Sequence, residues 1–406
     1  MRKIRFFYGY QTVLLAVLLG TSALNREVKA QLEKKEEYLK LEEQKESTDQ
    51  NIRVLLMTTD YQSCYHPSVT LIRDGETMTF TAEEPEASGK EIYIPAHENG
   101  IQITSLERQC GHPVYQGTIE IKKVPEGLTV INEVPLETYL EAVVPSEMPS
   151  SYEKEALKAQ AVCARTYAWK KMKEGQREKM GADVDDSVND QVYQNISPQP
   201  SVTAAVRETA GQILCQNGEP VQAYYFSTSA GATSTDEIWG AETPAPYLKS
   251  VICQFDSREP WSRWETEIPW TNIERRAADQ IGQEGALLDI SVTEKNESGA
   301  VTGLQVIAEA GSFTLKEEYQ IRQFLSPDGC VITEKNGNQT PGGKLLPSAY
   351  FTMKLKKGET VQLSGGGYGH GVGMSQNGAN EMAKQGYTCQ DILDYFFRQV
   401  EIRSIS

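Results

Sequence analysis

The chain is short of histidine and of positive charge. Its 406 residues hold four histidines, His66, His97, His112 and His370. None is spaced with another histidine, or with a close cysteine pair, as a zinc ligand set requires. Lysine and arginine total 40 against 56 acidic residues, a formal net charge of -16. That balance disfavours nucleic acid, which rewards clustered cations. Seven cysteines are scattered without a C-x-x-C pair, so zinc-ribbon and redox motifs are absent. An odd number leaves at least one free thiol in a monomer. The others either bridge in an exported chain or serve as small buried hydrophobes. The stretch Leu363 to Ala379, "LSGGGYGHGVGMSQNGA", lacks the third glycine of a dinucleotide loop, the Lys-Ser/Thr of a P-loop and the last glycine of a nucleophile elbow.

What the chain does have begins at its first residues. Arg2, Lys3 and Arg5 precede an uncharged run from Phe6 to Leu24, and charge resumes at Arg26. The run is close to the roughly 20 residues that a membrane helix needs. Lys29 spoils the signal-peptide cleavage pattern around Val28-Lys29-Ala30, so an uncleaved anchor with its basic end in the cytoplasm is expected. Residues 1–25 then form the anchor and residues 26–50 a charged, solvated stalk. The remainder, residues 51–406, is expected outside the cytoplasm. Acidic Asp183, Asp185 and Asp186 lack the glycine and final glutamate of a calcium loop and read as a solvated turn.

From Ile52 onward strands are interleaved with a few clustered helices, which indicates an α+β fold rather than a regular βαβ repeat. "IRVLLMTT", "EIYIPA", "GTIEIKKV" and "GLTVINEV" read as strands. So do "GQILCQ" and "VQAYYFSTSAGATS". "ALLDISVTEKNESGAVTGLQVIAEA" reads as a hairpin around Ser298-Gly299. In "VPLETYLEAVVP" Leu136, Tyr139, Leu140 and Val143 mark a helix that Pro145 should stop. Ser150-x-x-Glu153 reads as a capping box for a second helix that ends at Gly175. The alanines of that second helix, 156, 159, 161, 164 and 168, suit close packing at the centre of the fold. The glycine stretch leads into a helix from Ser375 to Lys384, with Ser375 as its N-cap.

Between the first two helices lies Glu147, flanked by Val143, Val144, Pro145, Met148 and Pro149. A glutamate in apolar surroundings is a candidate general acid, because desolvation raises its pKa. The bland alternative is a surface glutamate in a loop. The glycine stretch reads as a close-approach turn. It is expected to form one wall of a groove facing Glu147, with His370 near the ligand.

Taken together, "VPLETYLEAVVPSEMP", "EALKAQAVCARTYAWKK", "QVYQ", "YYFSTSAGATSTDEIWG", "PYLKSV" and "GGGYGHGVGMSQNGANEMAKQGYTCQDILDYFF" resemble the stage II sporulation protein D (SpoIID) / LytB family of bacterial cell-wall proteins. The blocks stand in family order and cover most of the chain from about Ile52. They are densest at residues 125–250 and 361–397. The resemblance implies a mixed β-sheet core with clustered helices and a substrate groove. It implies a peptidoglycan lytic transglycosylase acting on peptide-stripped glycan strands in sporulation, without a cofactor. The glutamate of the family's E-M-P motif corresponds to Glu147, the expected catalytic acid and base. Arg165, Gln191, Tyr193, Ser227, Ser229, His370, Ser375 and Gln376 lie in the matching blocks and are expected to bind substrate. A partner amidase of the stage II sporulation protein P type, within a membrane complex, is implied as well. Some relatives carry a Cys/His zinc cluster before the Q-V-Y block. Here that stretch is "ADVDDSVNDQVYQ", so no metal is expected there.

Two other readings stand beside the enzyme. One is a non-catalytic wall-binding protein that enhances a partner amidase. The other is a serine hydrolase built on Ser375.

Overall fold

The computed structural model of the chain describes residues 50–83, 91–175, 177 and 180–405. The expected anchor and nearly all of the stalk lie outside these residues. Among the described residues no helix is long and apolar enough to cross a membrane.

The architecture is α+β. Seven helices are described: α1 Leu136–Glu147, α2 Lys154–Glu174, α3 Pro200–Glu208, α4 Trp270–Ile281, α5 Glu318–Phe324, α6 Gln376–Lys384 and α7 Cys389–Phe396. The strands form six sheets, none of them a regular parallel array. Alternating apolar residues build the first five-stranded sheet, in the order Glu91–Pro95, Thr118–Val124, Gly127–Pro135, Asn51–Leu55 and Val184–Asp185. Its centre pairs antiparallel, Ile121 opposite Val130 and Ile52 opposite Val134. Only the last strand is parallel to its neighbour.

Helix α2 is the axis of the larger core. All five of its expected alanines are buried, which lets neighbouring backbones come close. It ends where Gly175 takes a left-handed conformation at φ 61°, a position that suits glycine because a Cβ is disfavoured there. A second apolar core gathers Trp264, Ile273, Ile290, Leu304, Phe324, Leu346 and Leu363 from the segment between Trp261 and Gly365. The hairpin expected around Ser298-Gly299 forms there, pairing Leu287–Lys295 with Val301–Ala308.

Four local expectations are corrected. Asp185 and Asp186, expected in a solvated turn, are buried. Pro145 does not stop α1, which carries it internally and runs on to Glu147. Proline forfeits one backbone bond. The turn is held instead by the Ser146 hydroxyl donating to Ala142 O at 2.7 Å and Met148 N donating to Val144 O at 2.9 Å. The Ser150–Glu153 capping box does not form. Glu153 itself is the N-cap of α2 and makes no side-chain cap bond, while Ser150 donates towards Gln199 Oε1. The stretch "VQAYYFSTSAGATS" is a strand only at Tyr225–Phe226, parallel to Met374–Ser375, and continues as isolated bridges at Thr228, Ala232 and Ser234.

The glycine stretch crosses this segment at close range. A Cβ on Gly369 would sit 2.8 Å from the Phe226 Cβ. One on Gly373 would sit 2.1 Å from the Tyr224 carbonyl oxygen, with φ already at +81°. Close approach is therefore to the protein's own backbone around Tyr224–Ala230, not to a phosphate.

Candidate active site

Glu147 is the last residue of α1 and is partly exposed, between buried Val144 and Met148. Three donors converge on its carboxyl group. The Val192 N–H donates to Oε1 at 2.7 Å. The side chains of Tyr225 and Gln376 supply the other two. Desolvation is the largest influence and lifts the carboxyl pKa to about 7, against the lowering effect of these three bonds. No lysine or arginine among the described residues pairs with it. The group is therefore divided between acid and carboxylate near neutral pH, as a group that both gives and takes a proton must be.

Each donor arrives from a different element. Gln376 opens α6, whose N-cap is Ser375 as expected. Tyr225 comes from the short parallel strand. Its hydroxyl accepts from Gln191 Nε2 at 2.9 Å. With that lone pair engaged, its own hydrogen is directed to Glu147. Gln191 is itself buried, accepting from the Tyr139 hydroxyl at 3.3 Å and donating to Ala164 O at 3.3 Å. It orients Tyr225 and does not reach the opening. Val192 follows directly, so one short segment supplies both the direct donor and the brace behind the second.

Several expected substrate contacts are elsewhere. Arg165 has no exposed surface and clamps Glu137 with two bonds of 2.7 Å, while also donating to the carbonyls of Val206 and Gln212. It ties α1, α2, α3 and the strand Gln212–Gln216 together and is not available to a ligand. Tyr193 is buried in a ring cluster with Tyr115 and Tyr139, its hydroxyl donating to Asn132 at 2.8 Å. Ser229 and Ser375 both donate to the fully buried carboxylate of Asp256, at 2.7 and 2.6 Å. The Ser375 oxygen also accepts from Gly378 N at 3.1 Å. It is an N-cap without solvent access, which removes the serine-hydrolase reading.

His370 is half-buried among aromatic rings. Its ring lies against those of Tyr224, Phe226 and Trp239, with centroids 6.2, 5.8 and 5.1 Å away. Nδ1 accepts from Val372 N at 3.1 Å, and the ring also bonds the Tyr225 backbone. Burial lowers its pKa to about 4, so the ring is neutral. Side chains alternate along a strand, so the face carrying Phe226 and His370 is opposite that of Tyr225 and Glu147. His370 braces the back of this strand. Ser227 remains half-buried near the site, its hydroxyl beside Thr228 and its carbonyl accepting from Asn377 N at 3.0 Å.

A cavity of about 530 Å³ opens along the flank of α1. Thr138, Glu141 and Ala142 form one side and Asn195–Pro198 the other, over the Tyr193 ring. The segment after the site thus separates Glu147 from a polar-rimmed hollow. Among the described residues no group of three or more His, Cys, Asp or Glu is arranged to hold a metal ion. All seven cysteines are unpaired.

Sequence reasoning reached Glu147 and Gln376 but missed Tyr225, Glu137 and Asp256. Tyr225 stands in the quoted "YYFSTSAG" block, where two adjacent tyrosines were the available signal. The Val192 N–H carries no signal in any side chain.

With this geometry established, comparison with known proteins places the chain. A family model described as "Stage II sporulation protein" matches residues 125–215, the region holding Glu147 and Val192. A domain of unknown function matches residues 247–373. The chain is 34% identical over 337 residues to stage II sporulation protein D of Bacillus subtilis (strain 168), covering 77% of this chain and 90% of that protein. It is 30% identical over 347 residues to the protein of the same name from Bacillus amyloliquefaciens, covering 80% of this chain and 89% of that one. A more partial match is the amidase enhancer of Bacillus subtilis (strain 168), 28% identical over 290 residues, 64% of this chain and 39% of that protein. By its blocks, its matched domain and these relatives, the chain belongs to the stage II sporulation protein D family.

Proposed function

We propose that this protein is a peptidoglycan lytic transglycosylase that cleaves peptide-stripped glycan strands, with Glu147 as both acid and base. The observation that carries this reading is the Glu147 carboxyl group itself. It is accessible, unpaired with any cation, poised near pH 7 and gripped by three donors. Protonated Glu147 gives its proton to the glycosidic oxygen as the bond to the muramic anomeric carbon breaks. The oxocarbenium-like centre is then closed by the sugar's own 6-hydroxyl, whose proton passes to the Glu147 carboxylate. A 1,6-anhydro ring forms, no water is consumed, and the acid is regenerated. One carboxyl group does both jobs, so a second at hydrolase spacing is not required.

The Val192 N–H and the Tyr225 hydroxyl stabilise the carboxylate between the two proton transfers, as preorganised donors do. The N-terminal apolar run supports a membrane-anchored protein acting outside the cytoplasm in spore-wall remodelling. The match to an amidase enhancer supports a partner amidase, and also a second reading in which this chain binds wall and stimulates that amidase without cutting.

The test is a digest of peptide-free glycan strands. The enzyme reading expects anhydro-ended fragments from the wild type and none from Glu147→Gln. Equal fragments from both would remove Glu147 as the catalyst. Fragments from neither, with amidase stimulation retained, would favour the enhancer.

A further inference from the structure

The segment that braces Glu147 is itself fastened by buried charge. Arg108 and Asp186 pair at 2.6 Å with no exposure of either side chain. Asp186 also accepts from Met57 N at 2.9 Å, and Arg108 donates to Met57 O at 2.7 Å while lying over the Tyr61 ring. A few residues on, the chain turns back through Ser187–Asp190. There Arg177 holds Asp185 and Asp190 at 2.7 and 2.8 Å, and the Tyr167 hydroxyl reaches Asp190.

The returning segment then meets Asp186 again. Tyr193 N donates to the Asp186 carbonyl at 3.2 Å. On one side of that bond Val192 N reaches Glu147, and on the other Gln194 N reaches the Ser146 hydroxyl at 3.2 Å. Three consecutive backbone amides thus read out the position of Asp186 onto the end of α1.

A buried ion pair is a costly way to staple a fold, because apolar residues of similar volume often serve as well or better. What it does provide is a fixed geometry. We propose that Asp186, locked by Arg108, is a positioning residue that sets the Val192 N–H on the Glu147 carboxyl and so tunes its acidity. The proposal rests on reading Glu147 as the proton donor, but its first readout does not need turnover.

Around Glu147 the titratable neighbours are Tyr139 of α1 and Tyr225. From α6 and from the returning segment it meets only the neutral Gln376 and the Val192 N–H. Asp186 is faced by Arg108 and Asp185, with Tyr61, Tyr115 and Tyr193 nearby. A change in the Glu147 titration after substitution at residue 186 therefore passes through the backbone amide, not through a neighbouring charge.

The experiment titrates the Glu147 carboxyl carbon by NMR in the full chain, identified by its loss in Glu147→Gln, alongside fragment release. Arg108→Met/Asp186→Leu removes both charges together, avoiding an orphaned arginine. Arg108→Lys keeps the cation and serves if the double variant fails to fold. The proposal expects the midpoint to rise by about half a unit or more, since the lost N–H bond favours the carboxylate. It expects kcat to fall roughly tenfold with KM changed less than about threefold, Arg108→Lys lying between wild type and the double variant. A folded variant whose midpoint stays within about 0.2 unit of wild type would reduce the pair to a structural staple. A shifted midpoint in a protein that never cuts glycan would uphold the positioning role while overturning the proposed function.

Discussion

The Tyr225 hydroxyl accepts from Gln191 and donates to Glu147, so a buried amide fixes the direction of a hydrogen that ends on the candidate acid. The geometry explains how one carboxyl group is held half-titrated without a charged partner. Burial pushes its pKa up, and three uncharged donors limit the rise.

Tyr225→Phe removes one of those donors. The carboxylate loses a bond and the Glu147 pKa should climb further, by up to about one unit or about 1.4 kcal/mol. The alkaline limb of the pH–rate profile should move up and kcat should fall by about tenfold or more. A profile superimposable on wild type would separate Tyr225 from the acid.

The wild-type profile carries its own prediction. On the proposed mechanism Glu147 must be protonated to start the reaction, and its pKa is about 7. Cleavage measured as kcat/KM should therefore decline as pH rises through about 7. A plateau persisting to about pH 9 would show that this proton is not required.

Stability should respond to the same group with a definite sign. The folded pKa lies above the ordinary 4.5, at about 7. Between those values the native state keeps a proton that the unfolded chain has lost, so stability falls as pH rises through that window. The full loss is about 3 kcal/mol. Glu147→Gln should flatten this dependence, gaining on wild type at about pH 8 and little at about pH 4 in urea denaturation.

Arg165 should matter to folding and not to substrate. Removing it as Arg165→Met strands Glu137 in the core, at a cost of about 3–5 kcal/mol. Glu137→Leu combined with Arg165→Met should recover much of that loss. Glycan affinity of the folded double variant, measured by pull-down, should match wild type.

Gly373→Ala and Gly358→Ala form a contrast. Both glycines have positive φ, 81° and 77°, but a Cβ meets the Tyr224 carbonyl oxygen only at residue 373. The open position should cost about 1 kcal/mol from backbone strain alone. The crowded one should cost several times more and also weaken cleavage, because Tyr224 adjoins Tyr225. Equal melting temperatures for the two variants would contradict the close approach.

Much of this fold was legible because periodicity is local. The strands Thr118–Val124 and Gly127–Pro135 and the alanine-lined α2 follow directly from side-chain spacing. The segment after Val221 was read as one long strand because its apolar residues alternate. Its partners meet it as a strand only at Tyr225–Phe226 and beyond that at isolated bridges, which no single-segment pattern encodes. At the site, the apolar neighbours of Glu147 did not separate a buried acid from a surface glutamate, and it was the resemblance of the E-M-P motif that singled it out. Arg165 looked like a ligand contact because an arginine on a central helix reads the same whether it faces a groove or a buried glutamate. His370 was hard to place for a related reason. The glycine turn that carries it has no regular repeat, so spacing does not reveal which rings it packs against.

The pairing of Tyr225–Phe226 with Met374–Ser375 has one further consequence. The acid is made early in the chain and its last donor almost at the end. A nascent or truncated polypeptide that stops before Met374 carries Glu147 without Gln376 and without the strand that seats Tyr225. On the proposed reading, cutting is acquired only when the final helices arrive.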